Sequence, residues 1–61
     1  MTLKQKLFIK KYLEFKGNGT KAALTVYNTS DTNVAAVIAS QNMANSRIRR
    51  YVEIEFEKFY K

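Results

Sequence analysis

The side chains that could do chemistry in this 61-residue chain are suited to binding anions rather than to catalysis. The chain has no histidine and no cysteine, so the most common general base and the most common metal ligands are missing. It has five carboxylates, and only Glu53, Glu55 and Glu57 lie close together. Eleven Lys and Arg residues give a formal net charge of +6. We therefore expect no enzyme activity, no metal, no cofactor and a polyanionic partner.

The positive charge is concentrated in the first 50 residues. They carry nine Lys and Arg against Glu14 and Asp31, whereas residues 51–61 carry three Glu against two Lys. This basic segment suits nucleic acid, and lysines that only keep the chain soluble are the alternative. No apolar run approaches the roughly 20 residues that would cross a membrane, and no signal peptide is evident. We expect no membrane partner and a cytoplasmic protein.

Helices must position these side chains. There is no proline, both glycines lie in one turn, and no segment alternates like a strand. This predicts an all-α fold, a small bundle of three or four helices forming a single domain over residues 1–61. The helices are predicted at about 3–15, 21–27, 32–44 and 47–60. A short second helix, a polar turn and a third helix are the pattern of a helix-turn-helix that reads DNA.

Residues with capping side chains mark the predicted helix ends. Thr2 and Gln5 have the spacing of a capping box before the first helix. Thr20 and Ser46 are predicted to cap the second and fourth helices, because a hydroxyl can accept from the first free amides. Asn28 is predicted to close the second helix in the left-handed conformation.

Apolar side chains at helical spacing predict the core. On the first and last helices these are Phe8, Tyr12, Phe15, Ile48, Val52 and Phe56. Phe59 and Tyr60 are near the chain end, where little would cover them, so they are candidates for packing on a partner chain. Arg49 and Glu53 are four residues apart and predict a surface ion pair.

Five segments carry a further pattern: Leu3-Lys4-Gln5-Lys6-Leu7-Phe8-Ile9, Gly17-Asn18-Gly19-Thr20-Lys21-Ala22-Ala23, Tyr27-Asn28-Thr29, Ala35-Ala36-Val37-Ile38-Ala39-Ser40 and Asn45-Ser46-Arg47-Ile48. In this order and spacing the chain resembles the N-terminal DNA-binding domain of phage terminase small subunits over nearly its whole length. Three features depart from the family's usual pattern. Val26 rather than glycine precedes Tyr27, no proline lies near Ser46, and residues 32–44 contain no Lys or Arg.

The resemblance implies a module that recognises viral double-stranded DNA for packaging in the bacterial host cytoplasm. It also implies recruitment of the terminase large subunit, which carries the ATPase and nuclease, and a homo-oligomer formed within a longer parent chain. Two alternatives stay open. The first is the helix-turn-helix of a transposase or transcriptional repressor, and the second is a helical bundle that binds a protein partner.

The third helix can be interpreted in two ways. Hydropathy alone would bury Val34, Val37 and Ile38. The resemblance instead buries Ala35, Ile38, Ala39 and Met43 and leaves the two valines exposed. We prefer the second interpretation, because small residues let the third helix cross the second closely.

The exposed side of the third helix and the cations of the neighbouring helices give the candidate DNA-binding residues: Lys21, Thr32, Asn33, Val34, Val37, Ser40, Gln41 and Arg47. Asn33 and Gln41 could each make a bidentate contact with adenine, and Val37 could touch a thymine methyl group. Thr32, with the free amides of its helix start, could hold a phosphate, as could Lys21 and Arg47. A solvated surface is the alternative for each residue. For Arg49, the alternative to a phosphate contact is the pair with Glu53.

Overall fold

The computed structural model describes residues 1–59, except for the side chain of Phe59. Four helices account for most of this part of the chain: α1 Leu3–Glu14, α2 Gly19–Val26, α3 Thr32–Ala44 and α4 Ser46–Phe59. No strand occurs within residues 1–59, so the all-α prediction is confirmed. The proposed packing of Phe59 and Tyr60 on a partner chain concerns side chains outside the described residues.

The two ends of α1 form as predicted. The amide of Gln5 donates to Oγ1 of Thr2 at 3.1 Å, and the amide of Thr2 donates to Oε1 of Gln5 at 2.9 Å, which completes the capping box. At the other end, Lys16 and Gly17 have φ of 56° and 92°. Glycine adopts this left-handed conformation at little cost, so the chain can reverse there into α2.

Asparagine caps two helices for which the sequence predicted a hydroxyl. Oδ1 of Asn18 accepts from the amide of Lys21 at 3.0 Å, so Asn18 caps α2 and the prediction of Thr20 is wrong. Oδ1 of Asn45 accepts from the amide of Arg47 at 2.9 Å, so Asn45 rather than Ser46 precedes α4. Each helix begins one or two residues earlier than predicted, because asparagine caps as well as a hydroxyl does.

Residues 27–31 connect α2 to α3. The residue that ends α2, Tyr27, has φ −94° and ψ 148°. Among the described non-glycine residues, Lys16 alone has a positive φ, so the predicted left-handed Asn28 is wrong. The amide of Thr29 donates to the carbonyl of Tyr27 at 2.8 Å, and the connection ends at Asp31, whose carboxylate caps α3.

Small residues bring α2 and α3 close together. Phe8, Ala22, Ala23 and Ala35 are fully buried in one cluster, which also contains Ala39. A Cβ built on Gly19 would lie 3.1 Å from Cβ of Ala39, tighter than ordinary van der Waals contact, which shows how near the two helices approach. The fully buried residues that α2 and α3 contribute are therefore small, and bulkier Leu24, Ile38 and Met43 are partly buried beside them.

A second buried cluster fixes α4 against α1. It contains Ile9, Ile48 and Val52, and Tyr12 packs against both clusters. The ring of Tyr12 also meets the ring of Phe56 edge-on, with centroids 6.0 Å apart. The core predicted from helical spacing is confirmed, with Tyr12, Phe15 and Phe56 only partly buried at its margin.

The surface ion pair predicted between Arg49 and Glu53 does not form. Within residues 1–59 the ion pairs join Lys11 to Glu14 at 2.9 Å and Lys58 to Glu55 at 3.5 Å. The hydrogen bond from Lys11 lowers the pKa of Glu14. The arginines of α4 are therefore not neutralised by the acidic residues that follow them.

Candidate nucleic-acid interface

The outer face of α3 carries polar side chains and two valines. Its exposed side chains are Asn33, Val34, Val37, Ser40 and Gln41. Val34 is 45% exposed and Val37 is 56% exposed, whereas Ala35 and Ala39 on the opposite side are buried. The interpretation that exposes the two valines and buries Ala35 and Ala39 is confirmed, although Ile38 and Met43 are only partly buried, and the interpretation that buries the valines is wrong. The buried alanines lie on the side of α3 that packs against the first core cluster, so the two valines face outward.

This outer face of α3 has no charge. No Lys, Arg, Asp or Glu occurs between Thr32 and Ala44, so the face consists of amides, hydroxyls and two valines. Asparagine and glutamine side chains can donate and accept a hydrogen bond together, which matches the major-groove edge of adenine. A valine methyl can contact the thymine methyl group. The chemistry of the face suits the edges of bases better than phosphates.

The start of α3 differs from what the sequence predicted. Oδ1 of Asp31 accepts from the amide of Asn33 at 2.8 Å and from that of Val34 at 3.4 Å. These two amides are therefore not free to hold a phosphate, and the carboxylate adds a negative charge there. Thr32 is exposed, so only its side chain stays a candidate for a phosphate contact.

Lys21 has an intramolecular partner. Its Nζ lies 4.6 Å from the ring centroid of Phe15, a cation–π contact. This contact offers a structural reason for a cation at the first turn of α2, where the helix dipole disfavours positive charge. Because the lysine side chain is still exposed, Lys21 remains a candidate for a phosphate contact.

A second lysine beside the helix-turn-helix was missed by the sequence analysis. Nζ of Lys4 lies 5.6 Å from the ring centroid of Tyr27, and Lys4 lines a surface pocket with Thr29, Ser30 and Asp31. The folded chain thus places the start of α1 next to the turn before α3. The contact between Lys4 and Tyr27 could not be predicted from their spacing in the sequence, because it forms only when the helices pack.

Three arginines surround the start of α4. Arg47, Arg49 and Arg50 are all exposed, and none has an ion-pair partner within residues 1–59. They lie near the end of the helix where the dipole disfavours cations, so no local interaction explains them. A phosphate would satisfy both the charge and the position.

The eight sequence-predicted contact residues are all exposed. Six of them belong to α3, and five of those six share its outer face. Lys21 and Arg47 lie on the neighbouring helices, each within a turn of the helix start. The structure therefore provides one uncharged face with cations on the adjoining elements.

One polar residue inside α3 was not predicted to matter. Asn42 is only 8% exposed, and its Nδ2 donates to the hydroxyl of Tyr27 at 3.1 Å. Its only sequence signal is its place on the helical wheel, on the same side as Ala35 seven residues earlier.

A separate groove lies between α1 and α4. Ile9, Leu13 and Tyr51 give it an apolar lining, and the remaining lining residues are charged: Lys6, Lys10, Glu14 and Glu55. Within residues 1–59, no group of three acidic, His or Cys side chains could hold a metal ion. None of the described helices is both long enough and apolar enough to span a bilayer.

A comparison with protein families gives one result. The model of the family described as terminase small subunit matches residues 1–60, a range that contains all four helices. No curated protein and no solved structure matches the chain.

Proposed function

The chain belongs to the terminase small subunit family, and we propose that it binds duplex DNA through the outer face of α3. In this role it marks viral DNA for packaging in the host cytoplasm and recruits the large subunit. It performs no catalysis itself and needs no cofactor. It also assembles with other copies of itself, and each copy in this homo-oligomer is a longer parent chain.

The observation that carries this proposal is the exposure of Val34 and Val37 on α3. A domain this small has little apolar material to spare for its core. Among its exposed apolar side chains, which also include Leu3 and Ile54, the two valines of α3 share one face with polar residues that can form hydrogen bonds with bases. Contact with the major groove would give these side chains a use that folding does not.

Different residues are assigned to binding the DNA phosphates and to recognising the bases. Phosphate contacts from Lys21, Arg47 and the side chain of Thr32 would fix the position of the domain on the duplex. Base contacts from Asn33, Gln41 and Val37 would then discriminate between sequences. With no Lys or Arg on α3, the domain has no bidentate contact to guanine from that helix. We therefore expect modest specificity from one domain and greater selectivity from several copies bound side by side.

The family match favours packaging over the transposase or repressor alternative, which shares the fold. The groove between α1 and α4 is the feature that favours the third class, a protein-interaction bundle. That class predicts protein binding that is insensitive to salt and no retention of DNA.

A titration of duplex DNA at several salt concentrations tests the proposal. The probe is a duplex that the unaltered chain selects from random sequence, compared with a scrambled duplex. If three to five phosphates are neutralised, log K falls against log salt with a slope of about −3 to −4.5. Binding that does not change between low and moderate salt, or no binding to either duplex, would refute the proposal.

A further inference from the structure

Tyr27 connects three helices of the domain. Its backbone amide donates to the carbonyl of Ala23 at 2.8 Å and so closes α2. Its ring packs against the first core cluster, with Lys4 of α1 on the ring face. Its hydroxyl accepts the hydrogen bond from Asn42 of α3. The side chain of Tyr27 is thus the polar link between the two helices of the helix-turn-helix.

Asn42 is the one buried polar residue among the described side chains. An apolar residue there would bury surface without needing a partner, whereas a buried amide is costly unless it is hydrogen-bonded. The other buried residues that α2 and α3 contribute to the first cluster are alanines, which offer few projections to interlock, and Leu24, Ile38 and Met43 are only partly buried beside them. A directional hydrogen bond therefore supplies an orientation that smooth alanine surfaces do not.

From this arrangement we propose that the Tyr27–Asn42 hydrogen bond sets the rotation of α3 about its own axis. Tyr27 and Asn42 are positioning residues, which hold the outer face of α3 towards the bases without touching DNA. This inference rests on the proposed function. A helix with its side chains has a radius of about 5–6 Å, so a rotation of about 20° moves a side-chain tip by about 2 Å. Such a shift is enough to break the hydrogen bonds that Gln41 would make to a base.

The test separates orientation from stability. Leaving one partner buried without a hydrogen bond is destabilising, but replacing both with apolar groups of similar shape can be nearly neutral. The double variant Tyr27→Phe with Asn42→Leu should therefore melt close to the unaltered chain. Its affinity for the selected duplex should fall about tenfold, while its affinity for the scrambled duplex and its salt slope stay unchanged. A residue that only supports the fold would not produce this pattern.

Tyr51→Phe is the matched control, because it removes a hydroxyl from a tyrosine that is half exposed on α4. We expect it to bind both duplexes as the unaltered chain does. If the double variant does not fold, Tyr27→Phe alone decides, since it removes a single oxygen and keeps the ring. A folded variant that discriminates between the duplexes as well as the unaltered chain overturns the inference. If the unaltered chain binds neither duplex, the proposed function fails and the inference falls with it.

Discussion

The outer face of α3 and the first turns of α4 are adjacent in the chain and opposite in character. Both are exposed, yet α3 carries no charged residue from Thr32 to Ala44, whereas α4 begins with Arg47, Arg49 and Arg50. The first surface has hydrogen-bonding groups that could distinguish bases, and the second has cations that would bind any phosphate. Under the proposed function, this difference separates the choice of sequence from the strength of attachment.

The contrast between the outer face of α3 and the start of α4 requires that the alanine side of α3 is the buried one. Changing Ala35 to Asp should unfold the domain, because a buried carboxylate without a partner costs several kcal/mol. The margin of a chain this small is only about 3–5 kcal/mol. Ala36→Asp is the matched control, since Ala36 is the next residue and is exposed. Thermal melts followed by circular dichroism measure both variants. A cooperative melt near the original temperature for Ala35→Asp would contradict the orientation of α3.

Removing the cations of α4 should produce the next largest effect. The variant with Arg47, Arg49 and Arg50 changed to Gln should lose roughly 10- to 100-fold in affinity on both duplexes. Its salt slope should become shallower by about 2–3.

The matched control for the arginines removes the same number of positive charges elsewhere. It changes Lys6, Lys10 and Lys58 to Gln, of which the first two line the α1–α4 groove. Fluorescence anisotropy at several salt concentrations compares the two variants. Equal losses would mean that overall charge, rather than the position of the arginines, determines attachment.

Gln41→Ala should affect the selected duplex alone. The loss of a base contact costs roughly 1–3 kcal/mol on the preferred site and leaves the salt slope unchanged. Lys21→Ala provides the contrast, because losing a phosphate contact weakens both duplexes and makes the slope shallower by about one. Titrations of each variant on both duplexes measure these changes. If Gln41→Ala weakens both duplexes alike, the assignment of base reading to α3 is incorrect.

Val37→Ala should have the smallest effect. The change removes two methyl groups, and if one of them contacts thymine, its burial is worth about 0.8 kcal/mol and the loss should be about fourfold. Replacing thymine with deoxyuridine in the selected duplex removes the partner methyl group. The unaltered chain should be weakened by this replacement and the variant should not. A variant that still responds to the thymine methyl would place the contact on another residue.

The four helices were predictable because caps, glycines and apolar spacing act locally. The first residues of α2 and α4 were predicted less accurately, since several residues able to cap a helix are adjacent at 18–20 and 45–46. The exposed valines of α3 were predicted from the resemblance to the terminase small subunits, supported by the small alanines, because hydropathy alone would have buried them. The Tyr27–Asn42 hydrogen bond joins residues 15 apart, and the contact between Lys4 and Tyr27 spans even more of the chain. Such contacts depend on how the helices pack, which no local pattern encodes.

The division between the buried alanines of α3 and its exposed side chains also bears on how the domain can evolve. Substitutions at exposed positions usually change stability by less than about 0.5 kcal/mol. Asn33, Val37, Ser40 and Gln41 can therefore vary with little effect on folding, while Ala35 and Ala39 cannot. A lineage of such proteins could acquire a new target site through single changes and keep the same scaffold throughout.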